Sequence, residues 1–479
     1  MDKLTYETLD ILNYDGYLLR QAPEKVIQFG EGNFLRGFVD YFIDLANERG
    51  GFNGKVAVVQ PIPAGRIGDI NRQEGLYTLC LRGRDRQGIR NEKRIISCIS
   101  RGIDPYEDFP SFLELARNEE MEYIVSNTTE AGIVYDGTCR FSDQPAGTFP
   151  AKLTRLLYER FSRTASQRGF IILSCELIDD NGKKLKDCVL SHSRDWDLGP
   201  DFIQWVEQEN RFCSTLVDRI VTGYPADPEE ENGKNGYEDV LMDAAEFFGL
   251  WVIEGTEDLE GSLPFTRAGL PILVKKDHKP YKTRKVRILN GAHTCLVPVA
   301  RLAGKQIVRE SMEDEKINQF VRTFVFQEVI PTLDLPEEDL RQFAEDVFDR
   351  FANPFIDHKL TDIALNSISK WTARIKPSLK EYAARKGTLP ACTVFALAAL
   401  IVYYKHEQVR DDEQVLAFFR RAGQFQTNEA LVHELLKQKD FFQEDLSKVQ
   451  GLVQMTAALM DEIESRGMAE ALAGFLKEC

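Results

Sequence analysis

KVIQFGEGNFLRGF, residues 25–38, decides how the first half of this chain is read. A short apolar run, Lys25 to Phe29, enters Gly30-Glu31-Gly32 and then a pattern with helical spacing from Phe34 onward. Strand, tight glycine turn and helix N-terminus are the physical recipe for holding a pyrophosphate. The glycines let the backbone approach, and free amides and the helix dipole face the anion. Leu35 stands where the third glycine of G-x-G-x-x-G would be, so the motif is incomplete by itself. The acid that grips the ribose in such sites belongs at the end of the second strand, where VAVVQPIPAGR (56–66) offers Gln60 instead. An amide can bond the ribose hydroxyls, while Arg66 could meet a 2′-phosphate, which leaves NAD and NADP both open. A third strand end, YIVSNTTEAGI (123–133), supplies Asn127, Thr128 and Thr129 as candidate contacts along the cofactor, because dinucleotides lie across the carboxyl ends of parallel strands.

Outward from this motif, β-branched runs at 25–29, 55–60, 123–127 and 169–175 alternate with helical patterns at 34–48 and 151–163, the signature of βαβ units and a mostly parallel sheet. The polar segment ADPEEENGKNGYED (226–239) reads as an exposed loop, and 272–275 as a further short strand. Beyond about residue 280 long helical patterns dominate, at 285–302, 314–327, 337–351, 361–374, 389–404 and 445–476. The expected architecture is therefore α/β: a Rossmann-type dinucleotide-binding domain over 1–277, then a mostly α-helical domain over 278–479 that carries substrate and catalysis. No internal repeat is visible.

The chain has 479 residues, room for two or three cores. A net charge of -16 argues against a nucleic-acid partner, and the basic run from Lys183 to Lys186 is offset by Asp179, Asp180 and Asp187. Nine cysteines form no Cys-x-x-Cys pair and suggest reduced thiols and a cytoplasmic setting. The N-terminal MDKLTYETLDILNYDG lacks a signal-peptide profile. The longest apolar run, 389–404, is shorter than the roughly 20 residues a membrane span needs, and reads as a buried helix. A membrane partner is not expected, and the oligomeric state is open.

RKVRILNGAHTCLVPVA (284–300) puts Lys285, Asn290 and His293 among apolar residues. On an α-helix at about 100° per residue, Lys285 and His293 are about 80° apart and Asn290 lies about 60° further round, so all three can face one cleft. The residue types suit oxidation of an alcohol by a nicotinamide: Lys285 to exchange the hydroxyl proton, Asn290 to hydrogen-bond the developing carbonyl or alkoxide, and a neutral His293 to orient a hydroxyl. The other histidines, 192, 278, 358, 406 and 433, have no ligand spacing, so no metal is expected.

These motifs resemble the polyol-specific long-chain dehydrogenases, the mannitol dehydrogenase family. Its G-x-G-x-F-x-R pattern matches Gly30, Gly32, Phe34 and Arg36, and its K-x4-N-x2-H signature matches Lys285, Asn290 and His293. Where the mannitol branch continues with a histidine this chain has Phe38, which is similar to the hexuronate-reducing branch. IQFGEGNFLR, SNTTEAGI, CELIDDNG, FCSTLVDRIVTGYP and RKVRILNGAHT carry the likeness from residue 27 to 294. The resemblance implies an NAD-linked, reversible reduction of a keto-hexuronate to an aldonate, with NADH held by Ile27, Phe29, Gly30, Glu31, Gly32, Asn33, Phe34, Arg36, Gln60, Asn127, Thr128 and Thr129. It implies Lys285 as general acid/base, Asn290 and His293 as polarising groups, and Asp218 as a substrate contact. One position departs: the family's S-C-D-N segment is Ser174-Cys175-Glu176-Leu177 here, so either Glu176 or another group serves, or the site is arranged differently. A uronate carboxylate also needs a cation. Arg284, Arg287, Arg350, Arg374 and Lys376 are candidates, with Arg350 and Arg374 put forward. Another hexuronate reductase or a mannitol-type polyol dehydrogenase would differ only in the substrate pocket. A non-catalytic dinucleotide-binding regulator is the alternative of another class, and Lys285 argues against it.

Overall fold

The run Val26 to Phe29 is apolar or buried on both faces because it lies in the middle of a covered parallel sheet. In β1 (Glu24–Phe29) Val26 packs into one core, while Ile27 and Phe29 pack into another. In β2 (Lys55–Val59) Val56 and Val58 alternate with Ala57 and Val59 in the same way. The computed structural model describes residues 1–85, 88–165 and 167–478. Its other strands are β3 (Tyr77–Asp85), β4 (Gly88–Ile96), β5 (Ile99–Ile103), β6 (Tyr123–Ser126), β7 (Ile171–Ser174), β8 (Arg211–Asp218), β9 (Asp243–Ala245), β10 (Leu250–Glu254) and β11 (Ile272–Lys275).

Among the described residues one sheet has the order β11-β10-β8-β7-β6-β1-β2-β5 and a second has β4-β3-β9. All neighbours in the first sheet are parallel except β8 and β10. Its segment β5-β2-β1-β6-β7-β8 is the 3-2-1-4-5-6 order of a doubly wound fold, in which the order of strand addition reverses between β1 and β6 and opens a crevice at the strands' carboxyl ends. The helix starting at Asn33 covers one face. Phe109–Arg117, Phe149–Arg163, Asn181–Asp195 and Pro200–Gln208 cover the other.

Two features differ from the sequence expectation. β3, whose Tyr77 to Leu81 are buried, and the charged, half-exposed β4 both escaped notice; in β4 GIRNEKRII presents a solvated face. The segment 226–239 is not an exposed loop: Pro228–Asn235 is helical, and Tyr237 and Asp239 are buried. The Asp239 carboxylate accepts from the Thr78 and Leu241 amides and the Gln73 side chain.

By backbone contacts the chain divides into two units, Met1–Arg82 with Arg90–His278, and Gly83–Ile89 with Lys279–Cys479. The long helical part of the second unit is more broken than its periodicity suggests. Asn366, at φ 54°, separates Leu360–Ile363 from Ser367–Arg374, and Gly467 separates Leu452–Arg466 from Met468–Glu478. Ala391–His406 is apolar all round and buried almost throughout. No helix among the described residues is long and apolar enough to cross a membrane. Eight cysteines are free thiols, and Cys479 lies outside the described residues.

The N-terminus of Ala391–His406 is satisfied by Glu328, from another helix. Its buried carboxylate accepts from the Cys392 and Thr393 amides, at 2.7 and 2.8 Å, and from the Thr393 hydroxyl at 2.7 Å. Glu328→Ala leaves three buried donors without a partner. It is expected to lower stability by about 2–4 kcal/mol, read as a lower midpoint in denaturant unfolding.

Candidate active site

At the carboxyl end of β1 the chain turns at Gly30, whose φ is 122°. A side chain there would sit 2.9 Å from the Asn127 carbonyl oxygen, so the turn needs glycine. A Cβ on Gly32 would meet nothing within 4 Å. Gly32 is the N-cap of the following helix and offers no side-chain cap, so the first amides, at exposed Asn33 and half-buried Phe34, are open to an anion. The turn is braced from beneath. Gln28, wholly buried in β1, donates to the Gly30 carbonyl at 3.1 Å and to Asp40 Oδ2 at 3.3 Å. The Tyr77 hydroxyl donates to the Arg36 carbonyl at 2.8 Å.

Arg36 does not face the turn's surface. Its buried guanidinium donates to the Leu241 carbonyl and to Asn33 Oδ1, and lies 5.3 Å from the Tyr77 ring centre. It sits among Asp40 and Asp243, whose carboxyl groups burial pushes up to about 7, with Arg36 opposing that shift. Ile27 and Phe29 are also withdrawn: both are wholly buried in the apolar core. Those three residues shape the turn from inside.

Gln60 ends β2. Its amide donates to Asp104 Oδ2 at 2.9 Å, and with Gly65 and Asp104 it lines a 630 Å³ cavity. Asn127 follows β6 and donates to the Cys175 carbonyl at 3.0 Å, while Thr129 turns at φ 70°. Glu176 is buried, and its carboxylate accepts from the Thr128 amide and hydroxyl and from Ser126, so it fixes the β6 end; desolvation raises its pKa. Leu177 is 63% exposed. Asp218 is buried at the carboxyl end of β8.

In the second unit Lys285 to Asn290 form a π-helical segment that continues into Gly291–Leu302. The i→i+5 winding draws residues five apart toward one face, whereas an α-helix would hold them about 140° apart. Lys285 and Asn290 thus come closer in direction than the sequence reading allowed. His293 is buried, stacked on Phe351 at 4.0 Å and edge-on to His358 at 5.2 Å. Desolvation first, then His358, Arg350, Arg374 and Lys370, hold its pKa well below the usual histidine value, so it is neutral. Arg374 donates to Thr294 Oγ1 at 3.2 Å, and Thr294 donates to the Asn290 carbonyl at 2.9 Å. The fold therefore assembles His293, Asn290, Arg350 and Arg374, and adds Thr294, His358 and Lys370, which spacing did not single out. Lys370 and Arg374, four apart in one helix, were the available signal. Lys376 is spent on the Phe442 carbonyl at 2.7 Å, Arg287 donates to Ser378, and Arg284 lies buried against the Tyr281 and Phe343 rings.

Comparison with known proteins decides the family. Residues 24–266 match the mannitol dehydrogenase Rossmann domain, and residues 277–464 match the mannitol dehydrogenase C-terminal domain. The chain belongs to the mannitol dehydrogenase family. It is 47% identical over 470 residues to altronate oxidoreductases of Escherichia coli O7:K1 (strain IAI39 / ExPEC) and O6:K15:H31 (strain 536 / UPEC), covering 94% of this chain and 97% of theirs. A substrate-free D-sorbitol dehydrogenase structure superposes with a TM-score of 0.84 at 20% identity, over 98% of this chain and 100% of that one. Pseudomonas fluorescens mannitol 2-dehydrogenase, solved with NAD and D-mannitol, gives 0.68 at 21% over the whole of both chains, so both share the fold. As a member of the mannitol dehydrogenase family the chain is an oxidoreductase with a Rossmann domain of dinucleotide-binding type.

The neutral, buried His293 has a consequence for stability. Its folded pKa lies below the unfolded value of about 6.5, so between those values the unfolded chain binds more protons and stability rises with pH. Melting temperature is expected to fall as pH drops below about 6.5, and His293→Gln should flatten that acid limb.

Proposed function

We propose that this chain catalyses the reversible, NAD-linked reduction of D-tagaturonate to D-altronate, with the first unit holding the dinucleotide and the second the sugar acid. The observation that carries the substrate class is the cluster of Arg350, Arg374 and Lys370 around His293, on the helix that bears Lys285 and Asn290. A polyol has no need of such a concentration of positive charge, whereas a carboxylate does. The altronate oxidoreductase relatives, matched over nearly their whole length, support the same reading.

The first unit fits a dinucleotide: the space beside Gly32 is open, the helix N-terminus is uncapped, and the cavity at Gln60 has the size of a ligand site. Gly30, Gly32, Asn33 and Phe34 would hold the pyrophosphate by their amides, with Asn127, Thr128 and Thr129 further along and Gln60 at the ribose. Bound NADH supplies the hydride that the keto carbon gains. The Lys285 ammonium gives the carbonyl oxygen its proton and recovers one from solvent, while the Asn290 amide hydrogen-bonds that oxygen. Neutral His293 orients a neighbouring hydroxyl, and Arg350 and Arg374 hold the carboxylate. In the reverse direction Lys285 takes the hydroxyl proton. We place the enzyme in the cytoplasm, where free thiols persist.

NADH consumption is expected with tagaturonate, and far less with fructuronate or fructose supplied separately. Equal rates on fructose would contradict the uronate reading. Lys285→Ala should lower kcat by about 10²–10⁴-fold. Arg374→Ala should raise the KM for tagaturonate about tenfold or more, leaving the KM for NADH unchanged.

A further inference from the structure

β2 ends on an amide, so the site lacks the carboxylate that holds the ribose in most folds of this order. Gln60 cannot act alone as a donor, because its amide hydrogens go to Asp104 Oδ2 and, at 3.4 Å, to the Pro63 carbonyl. Its Oε1 lies beside Gly65, which also lines the cavity, and a second oxygen lies there too: a side chain on Gly65 would collide with both Gln60 Oε1 and Glu31 Oε1. Glu31, from the glycine turn, thus reaches across to the end of β2. It is half-buried and faces the Arg66 backbone amide, and desolvation raises its pKa.

Two acceptor oxygens side by side next to Gly65 suit two hydroxyl donors, which a ribose 2′,3′-diol provides. A 2′-phosphate would bring only acceptors and negative charge beside them. The surroundings reinforce this, since Asp104, Glu107 and Asp108 line the cavity. Among the described lining residues the cation is Arg101, and both its Nε and Nη2 donate to Glu24, at 2.9 and 3.1 Å. Arg66, the sequence candidate for a 2′-phosphate, instead donates to Asp69 at 3.0 Å and to the Val240 carbonyl at 2.8 Å.

We propose that Glu31 is the carboxylate that grips the adenosine ribose, in place of the acid that β2 lacks, and that with Gln60 it selects NADH over NADPH. The proposal rests on the dinucleotide reading of the first unit. Calorimetric dissociation constants for NADH, NADPH, AMP and adenosine 2′,5′-bisphosphate, on wild type and Glu31→Gln, test it without turnover. Wild type should prefer NADH, and AMP, by about 100-fold or more. Glu31→Gln should weaken NADH about tenfold and narrow the preference at least as much. Should Glu31→Gln fail to melt cooperatively, Glu31→Asp, which keeps the charge but retracts it, carries the test: NADH should weaken while NADPH stays excluded. An unchanged ratio in Glu31→Gln, unchanged NADH affinity in Glu31→Asp, or a wild type that binds NADPH as tightly as NADH overturns the proposal. A wild type that binds neither dinucleotide overturns the reading beneath it.

Discussion

The chain can leave β1 in only one way, because a Cβ at position 30 would press on the Asn127 carbonyl oxygen and on Leu35. Glycine at φ 122° satisfies that contact, and the geometry of the first unit follows. The helix begins two residues after the turn without a cap, its amides left open at the switch point between β1 and β6. Its first turns carry Arg36 and Asp40 inward, where a buried guanidinium and the Asp40 and Asp243 carboxyl groups lie under the turn. The π-helical winding of Arg36–Asp40 belongs to this arrangement, and the same winding recurs at Lys285–Asn290. Such segments are rare in ordinary helices and frequent at functional sites.

The two halves of the chemistry call for opposite electrostatics, and the chain supplies each locally. Around Gln60 the lining is acidic, suited to a neutral diol. Around His293 the neighbours are cationic, suited to a carboxylate, and they also keep the imidazole uncharged. A charged imidazole there would add to the positive cluster, whereas a neutral ring can both accept and donate.

Local signals of the fold were legible in the sequence. The run 25–38 announced strand, turn and helix, and the five-then-three spacing of Lys285, Asn290 and His293 marked the helix that carries the candidate site. What escaped were features set by tertiary partners. β4 is a strand despite its charges because it pairs with β3, whose Tyr77 to Leu81 are buried by neighbours the pattern cannot name. Arg36 matches a family motif, yet its guanidinium finds the Leu241 carbonyl some two hundred residues away rather than the open side of the turn. Glu176, one candidate for the position of the missing amide, secures Thr128, a contact its sequence position does not show. His358 lies in no periodic element, so only the fold brings it against His293.

The central claim is that this chain delivers hydride to the keto carbon of a hexuronate while Lys285 handles the proton. The most direct measurement is transfer of deuterium from NADH labelled at nicotinamide C4, with the product examined by NMR and mass spectrometry. The account predicts altronate carrying one deuterium on the carbon bearing the new hydroxyl, with that hydroxyl proton drawn from water. Altronate without the label, or NADH oxidised with no altronate formed, would contradict it.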